Sequence, residues 1–292
     1  MTWADSARAV EQLGYSTLFV PDHFDEGLGP IAALASAAAV TTRLRVGVLV
    51  FDCDFRHPAV VARELATIDA LSEGRLEVGL GAGWKTLDYQ RSGIPMDRPG
   101  VRVRRLMEHA AVLKGLWAGE PFSFAGEHYT ITDMPGSPAP HTPGGPPILV
   151  GGGAPRLLRW AGATADIVGV NASIHSGEID QAAAQDALAD RIDEKVAWVR
   201  EGAGDRFDDI ELNAWLAVAD LTDDPTVVEG VAALFGTDPA ALRRSPLALV
   251  GSRADVTEIL HDRRERWGYS YHVIPGDKAH DFAPVVAALT GT

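Results

Sequence analysis

Residues 56–84 read RHPAVVARELATIDALSEGRLEVGLGAGW, and this stretch decides the fold. Pro58 suits the first turn of a helix, where a backbone N–H is not needed. Val61, Leu65 and Ile68 recur on one helical face, and Gly74 stops the run. Leu76 to Leu80 is an apolar segment of strand length that ends in Gly81-Ala82-Gly83-Trp84. A helix feeding a buried strand with glycines at its end is one unit of a parallel sheet with helical crossovers.

The alternation continues in both directions. Upstream, Thr2-Trp3-Ala4-Asp5 forms a capping box. Trp3, Ala7, Val10 and Leu13 come next at helical spacing, stopped by Gly14. Tyr15 to Val20 reads as a strand ending at Pro21-Asp22-His23, Gly29 to Thr41 as a helix, and Arg45 to Phe51 as a strand. Downstream, Val103, Leu106, Ala110, Leu113 and Trp117 form a helical stripe. Ile148 to Val150 is a strand entering Gly151-Gly152-Gly153, and a helix runs from Pro155 to near Gly162. Ile167 to Val170 is a strand, residues 179–199 are largely helical, and Ile210 to Val218 is a strand. Ser252-Arg253-Ala254-Asp255 is a second capping box, Tyr269 to Ile274 the last strand, and a closing helix starts near Pro284.

Seven strands fit a doubly wound sheet or a closed barrel. Two stretches break the rhythm: residues 118–147, with a hairpin (Phe122 to Phe124, then His128 to Ile131, around Ala125-Gly126) and a proline-rich run, and residues 220–248, with short helices near Val227 and Ala240. Both are expected as insertions on one face of a single domain spanning residues 1–292.

Composition narrows the function. The 292 residues are 46% apolar, enough for a sizeable core and too many for a disordered chain. A formal charge of −14 argues against a nucleic-acid or anionic-membrane partner. No apolar stretch has the length of a membrane span, and no leader pattern opens the chain. Cys53 stands alone, so no internal disulfide forms and a reducing cytoplasm is expected. Only four of 26 basic residues are Lys, which with abundant Ala and Asp suggests a GC-rich bacterial genome.

Three places offer chemistry. Pro21-Asp22-His23 comes directly after a strand, where a parallel sheet lines its ligand crevice. His23 there can exchange a proton near neutral pH with Asp22 orienting its ring, or can simply be exposed beside a capping Asp22. Gly151-Gly152-Gly153-Ala154 joins a strand to a helix start, where backbone N–H groups attract phosphate; the plain alternative is a tight turn. Gly79, Gly81 and Gly83 leave room for a flat ligand walled by Trp84, or only for close strand packing. Cys53 reads as a small buried side chain and His57 as an extended residue before Pro58. The His residues lack metal-ligand spacing, so no metal is expected, and no G-x-S-x-G elbow is present.

Together these pieces resemble the bacterial luciferase-like oxidoreductases. The resemblance is carried by Gly14-Tyr15, Val20-Pro21-Asp22-His23-Phe24, Leu44-Arg45-Val46-Gly47, residues 56–84 and Pro147-Ile148-Leu149-Val150-Gly151-Gly152-Gly153. It implies a (β/α)8 TIM barrel, an α/β fold with insertions at the barrel mouth. It also implies a strand before Thr2 that this chain does not show, and FMN or the deazaflavin coenzyme F420 at the mouth. The motif Asp22-His23-Phe24 is most similar to the actinobacterial F420-dependent branch. That likeness implies hydride transfer to or from a small organic substrate, with His23 and Trp84 as catalytic candidates. Asp22, His23, Leu49, Val50, Gly81, Gly83, Gly151, Gly152, Gly153 and Ala154 are implied around the cofactor, with a non-prolyl cis peptide near Leu49-Val50. Sugar-phosphate dehydrogenases of that branch carry Glu where this chain has Trp84, so glucose-6-phosphate oxidation is not implied. An FMN-dependent monooxygenase and a non-catalytic flavin-binding barrel are the alternatives, and a homodimer is expected.

Overall fold

In the computed structural model, which describes residues 2–25, 27–174, 177–178 and 180–291, the first helix starts as Thr2 dictates. In α1 (Trp3–Gln12) the Thr2 side chain accepts the Asp5 N–H while Asp5 reaches back to the Thr2 N–H. The chain divides into two units, residues 1–149 and 150–292. Among the described residues no helix is long and apolar enough to cross a membrane.

The first unit is built on parallel strands. β1 (Thr17–Val20) pairs with β2 (Arg45–Asp52), and β2 with β3 (Leu76–Gly81). The register sets Val20 beside Val48 and Val48 beside Val78, and all of these are buried. The crossover between β1 and β2 is α2 (Pro30–Val40), and that between β2 and β3 is α3 (Pro58–Leu71). His57 is the extended N-cap of α3 and its Nδ1 accepts the Ala59 N–H at 3.3 Å, so this histidine has a structural task. The Leu49–Val50 peptide is cis, where the likeness to luciferase-like proteins put it, and the β2–β3 register shifts between Val48 and Phe51. Cys53 is buried, as its type suggests, and burial pushes its thiol well up.

Two helices come after β3. α4 (Thr86–Ser92) spans seven residues, too few to show periodicity in the sequence, and Gly93 ends it in the left-handed conformation. α5 (Pro99–Trp117) buries Leu106, Ala110, Leu113 and Trp117 of the expected stripe, while Val103 is partly exposed. The hairpin of β4 (Phe122–Ala125) and β5 (Thr130–Met134) forms with its second strand two residues later than the sequence suggests. The reason is Glu108, whose carboxylate accepts the N–H groups of Glu127, His128 and Tyr129 at 2.7, 2.8 and 3.2 Å and so holds those residues in the turn.

β6 (Ile148–Gly152) runs from the first unit into the second and leads to α6 (Pro155–Thr164). In the second unit β7 (Ile167–Val170) is parallel to β8 (Glu211–Trp215). The helical region between them is two helices, α7 (Gln181–Gln185) and α8 (Ala189–Ala203), and its expected start at Ile179 lies outside the described residues.

The single strand expected over Ile210 to Val218 is divided. β8 stops at Trp215, and β9 (Val218–Leu221) is a separate strand. Backbone partners change there: Leu216 N–H still reaches Val273, whereas Ala217 and Val218 both donate to Leu247. After α9 (Pro225–Leu234) and α10 (Pro239–Arg243), β10 (Ala248–Gly251) completes a two-stranded parallel pair with β9. α11 (Arg253–Trp267) begins with the Ser252–Asp255 capping box, and β11 (Tyr269–Val273) returns to β8. α12 (Ala279–Leu289) starts five residues before Pro284, which sits inside it rather than at its start. The exposed turn tolerates the proline because only one intrahelical N–H donor is lost.

Candidate active site

The C-terminal ends of β1, β2 and β3 bring Asp22-His23, Leu49-Val50 and Gly81-Ala82-Gly83-Trp84 into one region of the first unit. Asp22 is buried and fully engaged. Its Oδ2 accepts Arg56 Nη1 at 2.6 Å and the Asp52 N–H at 3.2 Å, and its Oδ1 accepts Arg56 Nη2 at 3.0 Å. A bidentate guanidinium–carboxylate pair fixes both partners. Asp22 therefore ties the loop after β1 to the loop after β2, and the expectation that it orients His23 is corrected.

The group facing His23 comes from α4. His23 Nδ1 lies 2.6 Å from Asp88 Oδ2, and the Phe24 N–H donates to Asp88 Oδ1 at 3.2 Å. The Asp88 side chain is 4% exposed and that of His23 26%, so a buried carboxylate backs a ring that solvent reaches. Trp84 stands edge-on to the imidazole, centroids 5.5 Å apart at 87°. An indole N–H only donates, so Trp84 offers a wall and one hydrogen bond rather than a titrating group. Sequence reasoning does not single out Asp88. Its signal is Leu87-Asp88-Tyr89 between Gly83 and Gly93, a segment long enough for two helical turns.

The glycines have local reasons. Gly83 has φ +74°, and a Cβ there would meet the Tyr89 hydroxyl and Asp52. Its carbonyl and that of Ala82 both accept from Arg102, which holds the Trp84 loop down. A Cβ at Gly81 would lie 2.5 Å from the Val50 side chain. β2 is buried at Val46 to Val48 and again at Phe51 and Asp52, yet Leu49 and Val50 between them are partly exposed. That apolar surface is the part of the strand available to a flat ring.

Behind it lies a buried acid cluster. Tyr89 Oη is 2.7 Å from Asp52 Oδ2 and 2.9 Å from Asp54 Oδ2, and Arg105 bridges Asp54 to Asp97. One phenol proton cannot serve two carboxylates. Burial first, then the Asp54 and Asp22 charges, push Asp52 up to about 6, while hydrogen bonds from Asp54 N–H and Tyr89 oppose the rise.

The glycine turn belongs to the second unit. Gly153 abuts the backbone of Asn171 to Ser173, and a Cβ at Gly152 would strike the Leu157 side chain. Two of the three glycines thus have a packing reason. Ala154 caps α6 without a side-chain hydrogen bond, and no acid lies in the first turn, so the helix start keeps its positive end uncompensated. Lys195, buried, donates to Asn171 O and Asp186, and Asp186 accepts the Ser173 N–H, which fixes the loop packed on Gly153. Among the described residues no group of three or more His, Cys, Asp or Glu is arranged to hold a metal ion.

Known proteins share this sequence pattern and this fold. The profile of the family described as luciferase-like monooxygenase matches residues 3–199. An F420-dependent glucose-6-phosphate dehydrogenase of Intrasporangium calvum is 33% identical over 177 residues, 56% of this chain and 51% of that protein. The match thus spans about half the length of that relative. Among solved structures, an F420-dependent secondary alcohol dehydrogenase in complex with an F420–acetone adduct superposes with a TM-score of 0.78 at 18% identity, covering 98% of this chain and 94% of that one. A long-chain alkane monooxygenase gives 0.77 at 16% identity, covering 98% and 83%. At these identities the structures establish the luciferase-like α/β fold.

Proposed function

The chain belongs to the luciferase-like monooxygenase family, and from that premise we propose that it is a coenzyme F420-dependent oxidoreductase acting on a small organic substrate. The observation that carries this reading is His23, held by buried Asp88 at 2.6 Å, at the same strand ends as the partly exposed Leu49–Val50 surface. The residues fit a flat apolar ring with a proton-exchanging side chain next to it. When bound, the deazaflavin supplies hydride exchange. The protein's own part is the proton: oxidation of a carbinol leaves an O–H proton to be taken up, and His23 Nε2 takes it, while reduction returns it. Trp84 walls the imidazole, and because the sugar-phosphate dehydrogenases that the chain resembles carry Glu at this position, glucose-6-phosphate is not the proposed substrate. The His23–Asp88 pair favours catalysis over a barrel that merely binds flavin.

A separate proposal concerns the second unit. Gly151-Gly152-Gly153-Ala154 and the uncapped start of α6 hold a phosphate group, supported by the absence of acids in that turn.

The likeness to a Baeyer–Villiger monooxygenase solved in complex with FMN, with a TM-score of 0.67 at 19% identity, favours FMN as the second reading. Fluorescence-quenching titrations with F420 and with FMN separate the two. F420 is expected to bind at least ~10-fold tighter, about 1.4 kcal/mol. Equal or tighter FMN binding overturns the deazaflavin reading and promotes the monooxygenase.

A further inference from the structure

We infer that Asp88 is the positioning residue that decides which nitrogen of His23 carries the proton. Its two oxygens have different assignments: Oδ1 accepts the Phe24 N–H at 3.2 Å, and Oδ2 faces His23 Nδ1 at 2.6 Å. An ionised carboxylate only accepts, so Nδ1 carries the hydrogen and Nε2 keeps its lone pair for a substrate proton. The other groups near the ring do not compete for Nδ1. Trp84 meets the ring edge-on, Asp25 is paired with Lys85, and Asp22 is held by Arg56. The helix that carries Asp88 is short, and Tyr89, its next residue, is anchored through Asp52 and Asp54. The carboxylate is thus delivered to His23 by a fixed turn.

The unequal oxygens make a sharp substitution available. In Asp88→Asn the Phe24 N–H still needs an acceptor, so the amide oxygen takes the Oδ1 place. The amide NH2 then sits where Oδ2 was and donates to Nδ1. The imidazole can accept only with its hydrogen on Nε2, so the tautomer reverses with no change in side-chain size. Nε2 then presents a hydrogen where the reaction needs a lone pair.

The inference rests on the reading of His23 as the proton-transfer group, but its first test does not. Nitrogen-15 NMR of histidine-labelled protein without cofactor, on the alkaline side of the His23 titration and assigned with His23→Ala, reports which ring nitrogen is protonated. The wild type is expected to show Nδ1–H, Asp88→Asn to show Nε2–H, and Asp22→Asn to keep Nδ1–H. Nε2–H in the wild type, or an unchanged tautomer in folded Asp88→Asn, overturns the inference, and the wild-type spectrum decides even if the variant does not fold. With the tautomer reversed, Asp88→Asn is expected to lower kcat for substrate oxidation ~10²–10⁴-fold, with little change in cofactor affinity. A reversed tautomer together with normal turnover of His23→Ala refutes the functional reading while leaving the tautomer assignment intact.

Discussion

Asp52→Asn is expected to stabilise the protein at neutral pH, which is unusual for a substitution at a buried polar group. Asp52 Oδ1 accepts the Asp54 N–H at 2.9 Å, and Oδ2 faces the Tyr89 hydroxyl at 2.7 Å, with Asp54 Oδ2 on the other side of that hydroxyl at 2.9 Å. Only one carboxylate can receive the phenol proton, so an ionised Asp52 or Asp54 is left facing a lone pair. A protonated Asp52 removes the conflict, donating to Tyr89, which donates to Asp54, which Arg105 neutralises. Burial holds Asp52 up at about 6 against an ordinary 3.8. Between those values the folded chain keeps a proton that the unfolded chain has released. Stability therefore falls as pH rises through that window, and the full cost is present above it. The shift corresponds to about 3 kcal/mol. Asparagine imitates the protonated acid: its oxygen keeps the Asp54 N–H and its NH2 donates to Tyr89. Urea unfolding of both proteins from pH 3.5 to 8 singles out this group, because the titrations of groups that do not interact with Asp52 cancel in the difference. The advantage of Asp52→Asn over wild type is expected to grow by about 2 kcal/mol between pH 4 and 6.5 and to level off above pH 7. A difference that stays flat or shrinks with rising pH refutes the shared-proton account.

Arg56→Ala leaves buried Asp22 with the Asp52 N–H as its remaining partner; because Arg56 is partly exposed, a loss of about 2 kcal/mol is expected in urea melts, below the value for a fully buried pair. His23→Ala is expected to reduce turnover ~10²–10⁴-fold with a smaller effect on cofactor affinity, and His23→Asn to behave like it, as steady-state assays on enones, imines and alcohols will show. For the phosphate proposal, Gly152→Asp is a poor probe because its side chain would collide with Leu157. Ala154→Asp instead sits at an extended N-cap and is expected to raise stability by about 1 kcal/mol while weakening a phosphate-bearing cofactor in titration; stronger or unchanged binding would show the turn to be structural only.

Much of the scaffold was legible because its determinants are local. Thr2 and Ser252 caps, the proline at the start of α3 and the glycine stops act within a few residues, and the structure places helices where they direct. Apolar runs such as Ile167–Val170 are buried along their whole length and need no partner to be recognised as strands. Motif position also led to His23, since strand ends in a parallel sheet are where a ligand can lie, whereas Leu49 and Val50 were implied only by the resemblance to luciferase-like proteins. Elements whose existence depends on a partner were not legible. β9 separates from β8 because Leu247 captures two N–H groups, and α4 is too short to carry a period.

The partners within the site were decided by tertiary structure alone. Asp22 lies beside His23 in sequence, yet it is bound by Arg56, 34 residues away, while His23 is met by Asp88, 65 residues away. Sequence adjacency after a strand sends consecutive side chains in different directions, whereas the crossovers return distant loops to the same strand ends. The sequence by itself determined that an imidazole would stand at the end of β1 in a luciferase-like α/β fold. Only the folded chain decided which carboxylate stands behind it, because that choice depends on where α4 packs, and no local rule specifies that.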